Sequence, residues 1–179
     1  MATWSIDIGH SAIHFGVRHM MFTKTRGRFT RWTGELRLEP ADLTSSSVEV
    51  TIDAASIDTG DQQRDAHLRS PDFLEAEKFP TLVFRSTKVD DLGDGKLRVS
   101  GDLTIRGVTR PVVLDTEYAG QVKDPWGNHR AGFTAKTSID RSDFGLRWNM
   151  PLEGGGLVVG NKVEIELEVE AVAAAAQAA

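Results

Sequence analysis

The chain contains no cysteine among its 179 residues. Disulfide bonds, thiolate metal sites and catalysis by a thiol are therefore excluded. Excess positive charge is missing as well, because the net charge is −5 at pH 7. Nucleic acid is not expected as a partner, since neutralising its phosphates needs a basic surface.

Long apolar runs are also absent. No stretch approaches the roughly 20 apolar residues of a membrane-spanning helix, so we expect a chain that does not span a membrane. The first residues lack the basic and then apolar segments of a secretory leader, which predicts a cytoplasmic location. The length fits one domain, which we place at residues 1–172, followed by a disordered alanine-rich tail at residues 173–179.

The sequence is rich in alternation of apolar and polar residues with a period of two. The contrast is greatest near the end, where Val163, Ile165, Leu167 and Val169 alternate with four glutamates. This pattern predicts strands with one face in a core and the other in water. About eight such segments, separated by glycine-bearing turns, predict an antiparallel barrel or sandwich.

Residues 61–78 break the alternation and predict one or two short helices. Ser70 and Pro71 fit a helix cap and a first-turn proline. Phe79-Pro80 ends the helical segment, because the residue before a proline avoids the helical region. A helical insert between strands would cover one end of a barrel.

Motifs for catalysis or metal binding are not evident. His10 and His14 are four residues apart, a spacing that puts two ligands together on a helix but roughly 13 Å apart in a strand. Gly154-Gly155-Gly156 lies between predicted strands, which favours a turn over a phosphate-binding loop. We therefore predict no catalytic residue, no metal site and no cofactor.

Residues 18–37 carry six cationic side chains, opposed by Glu35 alone. Two interpretations remain open: a solvated strand face, or a basic mouth that receives an anionic headgroup such as a diphosphate. Polar residues of the helical insert would add to such a mouth. The candidates for headgroup contact are Arg18, His19, Arg28, Arg64 and His67.

Large apolar side chains recur at positions expected to face inward. The interior of an eight-stranded barrel is wide enough either to be filled by side chains or to hold one ligand. Small residues at Gly101, Ala131 and Ala135 would leave room inside. The residue pattern alone leaves a packed core and a ligand cavity equally open.

Several motifs in order resemble one known family, the YceI-like polyisoprenoid-binding, lipocalin-like barrel proteins. They run from about Trp4 to Val172 and comprise Asp7-x-x-His10-Ser11-x-x-x-Phe15-x-Val17-Arg18-His19, Gly27-x-Phe29, Arg64-Asp65-x-His67-Leu68-Arg69-Ser70-x-Asp72-Phe73, Phe79-Pro80 before Phe84-x-Ser86, Gly101-x-Leu103-Thr104-Ile105-x-Gly107-Val108-Thr109, Arg141-x-Asp143-Phe144-Gly145 and Gly160-x-x-Val163. Each motif is weak alone, but their shared order makes the match specific.

The resemblance implies an all-β, antiparallel, eight-stranded lipocalin-like barrel with the helical insert near residues 61–78. It also implies an interior that binds an isoprenoid lipid, such as a polyprenyl phosphate or a quinone tail, a homodimer, and no established catalytic residues. Many relatives carry a secretory leader and are periplasmic. Our candidates for the lipid-binding wall are Ile13, Phe15, Val17, Trp32, Val50, Ile52, Leu82, Phe84, Leu103, Ile105, Phe133 and Trp148.

Three functions follow from these patterns. The first is a carrier, store or sequestering protein for an isoprenoid-type lipid. The second is an enzyme acting on an amphiphilic lipid, assisted by His10, His19 or His67. The third is a structural, dimerising barrel with a solid interior. Turnover would mark the second, and an empty solvent extract would mark the third.

Overall fold

The structure, a computed structural model, describes residues 2–173. Within that range the chain forms eleven strands and one short α-helix, α1 (Gln62–Arg69). The strands are β1 (Ala2–Ile6), β2 (Ala12–His19), β3 (Thr23–Phe29), β4 (Trp32–Leu38), β5 (Ser47–Asp53), β6 (Ile57–Asp58), β7 (Thr81–Gly93), β8 (Lys96–Ile105), β9 (Val108–Lys123), β10 (His129–Asp140) and β11 (Val159–Ala173).

The eleven strands form a closed eight-stranded barrel, because the first six strands combine into three composite strands. A 3₁₀ turn at Ile8–His10 separates β1 from β2, two residues separate β3 from β4, and a 3₁₀ turn at Ala54–Ser56 separates β5 from β6. Each composite strand then pairs with the next in chain order, followed by β7 to β11. The predicted antiparallel eight-stranded barrel is confirmed.

The barrel closes through its last strand. One edge of β11 pairs with β10, and the other edge pairs with both β2 and β1, as in the registers Ile165–Phe15 and Trp4–Ala173. All of these pairings are antiparallel. Because closure removes sheet edges, the backbone hydrogen bonds of the wall are satisfied by neighbouring strands.

Alternation along each strand decides which side chains face inward. In β11, Val163, Ile165, Leu167 and Val169 face the interior, and the intervening glutamates face outward. The same rule holds in β2, where Ile13 and Phe15 are inside and His14 is exposed. Burial of these apolar rows is the main driving force for closing the wall.

The helical insert covers one end of the barrel, which we call the entrance end. Asp61 begins α1 by accepting a hydrogen bond from the Arg64 amide, as a helix N-cap does. Residues 70–80 continue as turns, and Phe73 and Leu74 pack into the main core. The predicted helix start at Ser70 is wrong: Ser70 ends α1, and its hydroxyl donates to the His67 carbonyl oxygen.

The opposite end, called the far end, is closed by a smaller apolar cluster. Trp4, Leu38, Ala131 and Ala171 are buried there, where the start of β1 meets the end of β11. The hairpin turn between β9 and β10 is also at this end, with Trp126 exposed at its tip. The interior therefore has one sealed end and one end covered by α1.

Two predictions concern the ends of the chain. Ala173, placed in the tail by the sequence, instead belongs to β11 and pairs with Trp4. The rest of the predicted tail, residues 174–179, lies outside the described residues.

No helix within residues 2–173 is long and apolar enough to cross a bilayer.

Candidate functional site

The barrel encloses a cavity of about 700 Å³ that extends from the cluster at the far end to α1. This volume is in the range of pockets that bind small organic ligands, about 300–1,000 Å³. Its wall is mostly apolar, with a few serine and threonine side chains along it and with Arg18, Asp61, Arg64 and Arg141 at the entrance end. The question that the residue pattern left open is thus answered: the interior is hollow.

All twelve residues predicted for the lipid-binding wall line this cavity. They come from six strands and one loop, and they are Ile13, Phe15, Val17, Trp32, Val50, Ile52, Leu82, Phe84, Leu103, Ile105, Phe133 and Trp148. Period-two alternation places the eleven strand residues correctly, because the pleat sends every second side chain inward, whereas Trp148 lies in the loop before β11. Their contact with a lipid stays a prediction.

Further wall residues were not among the candidates. The inward row of β11 lines the cavity and could have been included, since its alternation is the clearest in the chain. Leu68, Phe73 and Leu74 reach the cavity from α1 and the turns after it. No periodic signal marks these three, because a short insert has no long amphipathic pattern.

The three small residues expected to leave room behave differently. Ala135 lines the cavity, whereas Ala131 is packed in the far-end cluster. Gly101 leaves no free space, because the ring of Phe84 occupies the position next to it: a Cβ there would be 2.5 Å from Phe84 Cζ. Of the three, only Ala135 thus borders the open volume directly.

Four of the five predicted headgroup residues, Arg18, His19, Arg64 and His67, line the entrance end. Arg28 does not line the cavity. Its neighbour Phe29 points inward, so strand alternation sends Arg28 to the outer surface. There it lies 3.8 Å from the Asp58 carboxylate.

The polar groups at the entrance are largely engaged in holding α1. Arg64 donates from Nε to Thr59 Oγ1 and from Nη2 to the Thr59 carbonyl, both at 2.8 Å. Asp65 accepts from the Thr59 amide at 2.9 Å. His67 Nε2 is 2.9 Å from Asp72 Oδ2, and its ring packs edge-on against Phe73 and Trp148.

Arg141, which begins one of the motifs of the resemblance but was not among the site candidates, is a buried cation in the cavity wall. It is only 5% exposed, and burial lowers the pKa of its guanidinium. Its guanidinium donates to the carbonyl oxygens of Leu146, Val159 and Gly160. The motif marks the position of Arg141, but no hydrophobic pattern around this polar turn predicts that its side chain is buried.

A second polar cluster lies on the outer wall, away from the cavity. Arg130 donates to Asp7, Asp124 and Glu170 at 2.6–2.9 Å, and His10 contacts Asp7. Asp7, His10 and Glu170 are close enough to share a cation, but Arg130 already neutralises both carboxylates. Hydrogen bonds from Arg130 hold the pKa of Asp124 and of Asp7 below the usual carboxyl range.

The histidines proposed for catalysis are not brought together. His19 and His67 lie at the entrance, but His10 is on the outer wall, with its side chain 68% exposed. General acid–base chemistry needs groups within hydrogen-bond reach of one bound substrate. Within residues 2–173, His10 is not among the residues that line the cavity.

Comparison with known proteins agrees with this architecture. A family model described as the YceI-like domain matches residues 4–171. A UPF0312 protein of Vibrio cholerae serotype O1 is 41% identical over 165 residues, which cover 91% of this chain and 82% of that protein.

Solved structures share the fold. BcnA from Burkholderia cenocepacia superposes with a TM-score of 0.80 at 24% identity, covering 92% of this chain and 98% of that one. A polyisoprenoid binding domain from Saccharophagus degradans gives a TM-score of 0.70 at 17% identity, covering 97% and 100%. With a family model matched over nearly its whole length and a relative at 41% identity, the chain belongs to the YceI-like family.

Proposed function

We propose that this barrel binds a long apolar lipid of the isoprenoid type in its cavity and carries, stores or sequesters it. The observation that carries the proposal is the hollow of about 700 Å³, walled mostly by apolar side chains, with the arginine and aspartate side chains of its lining at one end. A linear lipid has the same distribution, with a long apolar chain and one polar group. The tail would occupy the barrel and the headgroup would lie near α1.

Burial of apolar surface is enough for tight binding. If each prenyl unit buries about 100 Å², it contributes very roughly 2.5 kcal/mol before the cost of ordering the chain. A few units therefore suffice without any polar contact. The entrance groups, chiefly Arg18 and His19, would set the orientation and the headgroup preference.

The shared fold is in keeping with this ligand class. The Saccharophagus degradans domain with the same barrel is described as polyisoprenoid binding. At 17% identity it supports the proposal only through the architecture. The choice of an isoprenoid over another long apolar lipid, and the homodimer that the resemblance implies, are parts of the proposal to be tested.

The test is organic extraction of the purified protein, followed by mass spectrometry of the extract and of the intact complex. We expect one lipid per chain, or uptake of added polyprenol or quinone by the emptied protein. The Ala135→Phe variant adds a ring to the cavity wall and should lose this binding. Thr134→Phe is the matched control, since its side chain is exposed on the same strand.

The variants need a check on folding, because overpacking a wall also destabilises it. Both should unfold cooperatively, and bound lipid should raise the melting temperature of the wild type and of Thr134→Phe only. An empty extract, together with no uptake of polyprenols or quinones, would refute the proposal. Mass spectrometry of the intact protein also tests the homodimer.

A further inference from the structure

Five large apolar side chains are exposed side by side at the entrance end. We call Met20, Met21, Phe22, Met150 and Leu157 the entrance patch. Met21 is 68% exposed and Phe22 is 81% exposed. Single exposed apolar residues are common on protein surfaces, but a contiguous group indicates a surface that binds something.

The patch is contiguous because two segments meet in it. Met20 to Phe22 form the turn between β2 and β3, and Met150 and Leu157 flank the facing loop. The Met20 amide donates to the Val158 carbonyl at 2.8 Å, and the Val158 amide donates to the Met150 carbonyl at 3.0 Å. The Met21 side chain lies over Gly156, where a Cβ would meet Met21 Sδ.

The turn at the centre of the patch is strained. Met20 and Met21 have positive φ angles, 49° and 66°, and the Phe22 amide donates to the His19 carbonyl at 3.1 Å. These are the features of a type I′ turn, which favours Asn-Gly at its two central positions. Methionine at both positions is unfavourable for the turn itself. Strain combined with exposed apolar side chains points to a functional role.

The patch borders the opening of the cavity. Arg18 and His19, just before the turn, and Val158, just after the loop, all line the entrance end. Exposed cations adjoin it: the Arg18 guanidinium donates to the Phe22 carbonyl oxygen at 3.4 Å, and Arg147 is exposed in the loop that leads to Met150. Glu153 is the one carboxylate in the sequence between Asn149 and Val158.

We propose that the entrance patch inserts into the surface of an anionic lipid bilayer and places the cavity opening against the membrane. This inference rests on the proposed function, since a lipid ligand would then pass between bilayer and barrel without crossing water. Exposed Met and Phe beside cations are the composition of a surface that binds the headgroup–acyl boundary. Flexible methionines also adapt to a fluid surface.

The test is co-sedimentation of the full chain with vesicles of phosphatidylcholine alone and of phosphatidylcholine mixed with phosphatidylglycerol. We expect association with the mixed vesicles, weaker association with phosphatidylcholine alone, and weakening by salt. The double variant Met20→Asn/Met21→Gly should lower association by at least about tenfold. Its melting temperature should be unchanged or raised, because Asn-Gly suits the turn.

A matched control removes exposed apolar area at the far end. Val122 and Trp126 are 66% and 81% exposed, and the variant Val122→Thr/Trp126→Asn should bind vesicles like the wild type. Vesicle binding by Met20→Asn/Met21→Gly at the wild-type level would overturn the inference, as would no vesicle binding by the wild type. The inference would also be overturned if Met20→Asn/Met21→Gly bound vesicles like the wild type but sedimented more slowly in solution. That result would assign the patch to contact with a second copy of the chain.

The outcome for the proposed function is distinguishable. In a vesicle-free assay, Met20→Asn/Met21→Gly should bind dispersed polyprenol as the wild type does, because neither methionine lines the cavity. The Ala135→Phe variant should show the reverse, keeping vesicle association and losing the ligand. If neither protein binds polyprenol while vesicle association still depends on Met20 and Met21, the docking surface stands and the ligand assignment fails.

Discussion

At the scale of single residues, close packing sets the width of the cavity. The Phe84 ring lies against Gly101 of the neighbouring strand, where any larger residue would push it into the hollow. Interiors are packed densely enough that such a displacement has no free space to use except the cavity itself. The glycine thus helps to keep the cavity open although it contributes no volume to it.

Gly101→Ala should destabilise the barrel by about 1–3 kcal/mol, because the new Cβ would be 2.5 Å from both the Phe84 ring and the Arg85 carbonyl oxygen. Urea unfolding measures this loss. Gly16→Ala is the control, since its Cβ would be 3.8 Å from the nearest atom, on the Lys24 side chain. Equal stability of the two variants would contradict the packing argument.

Arg130 should make stability depend on pH in a defined direction. It lowers the pKa of Asp7 and Asp124 in the folded state, so their contribution is present at neutral pH and disappears as acid protonates them. The free energy of unfolding of Arg130→Gln should therefore differ most from that of the wild type at pH 7. Below about pH 4 the difference should shrink.

The measurement is urea unfolding at pH 7 and pH 3. Arg85→Gln is the control, because Arg85 pairs with Glu49 at 3.2 Å in an exposed position and should matter little at either pH. A difference between Arg130→Gln and the wild type that widens on acidification would mean that the cluster does not favour ionised carboxylates.

At the scale of elements, α1 depends on a few polar contacts more than on its own sequence. Eight residues are too few for a stable isolated helix, so tertiary contacts must hold it. Asp65 and Arg64 both form hydrogen bonds with Thr59, which lies just after β6. The residues proposed for a headgroup thus include one whose guanidinium secures the cover of the entrance.

Asp65→Ala should release this cover. The Thr59 amide would lose its acceptor in a half-buried place, which costs about 1–3 kcal/mol. Hydrogen exchange at residues 59–69 should accelerate, and exchange in β8 should not. Asp65→Asn keeps an acceptor oxygen and should have a smaller effect. Unchanged exchange at residues 59–69 would show that apolar contacts alone hold α1.

Elements differ in how well their sequence predicts them. The alternation in β11 is unambiguous, because one face of this strand lines the interior and the other faces solvent. The breaks inside the composite strands left no pattern, since 3₁₀ turns such as Ile8–His10 need only local hydrogen bonds. Ser70 was assigned to the wrong end of a helix because serine and proline fit both positions. The Met20-Met21 turn lacks the usual Asn-Gly signal.

The candidate site shows the same division. Wall residues such as Phe15 and Leu103 follow from alternation, because inward direction is a local property of a strand. Which side chains lie at the entrance end depends on how the whole barrel closes. Alternation could have placed Arg28 outside, because its neighbour Phe29 faces inward. Arg141 could not be placed in this way, because it is buried by a loop that returns from β10.

At the scale of the whole molecule, the barrel is a meander whose first and last strands are neighbours. Each strand of the barrel pairs with the next one along the chain. The exception is the seam, which is the pairing of β11 with the first composite strand. Trp4 and Ala173 pair at one end of that seam. A short linker can therefore join the described ends of the chain without disturbing the wall.

A circular permutant with its ends joined and a new opening between Asp94 and Gly95 should fold to the same barrel. The opening lies in the turn between β7 and β8, where loss of one peptide bond leaves the strand pairing intact. Circular dichroism and the melting temperature measure the outcome. A control opening between Val99 and Ser100, in the middle of β8, should abolish cooperative unfolding.

The seam also has a consequence for biosynthesis. Because β1 and β2 pair with β11, the barrel cannot close and enclose its cavity until β11 has left the ribosome. Before that point, the strands already paired form a curved open sheet with an apolar concave face and two unpaired edges. Such intermediates aggregate readily, so rapid docking of the last fifteen-residue strand decides the yield of native protein.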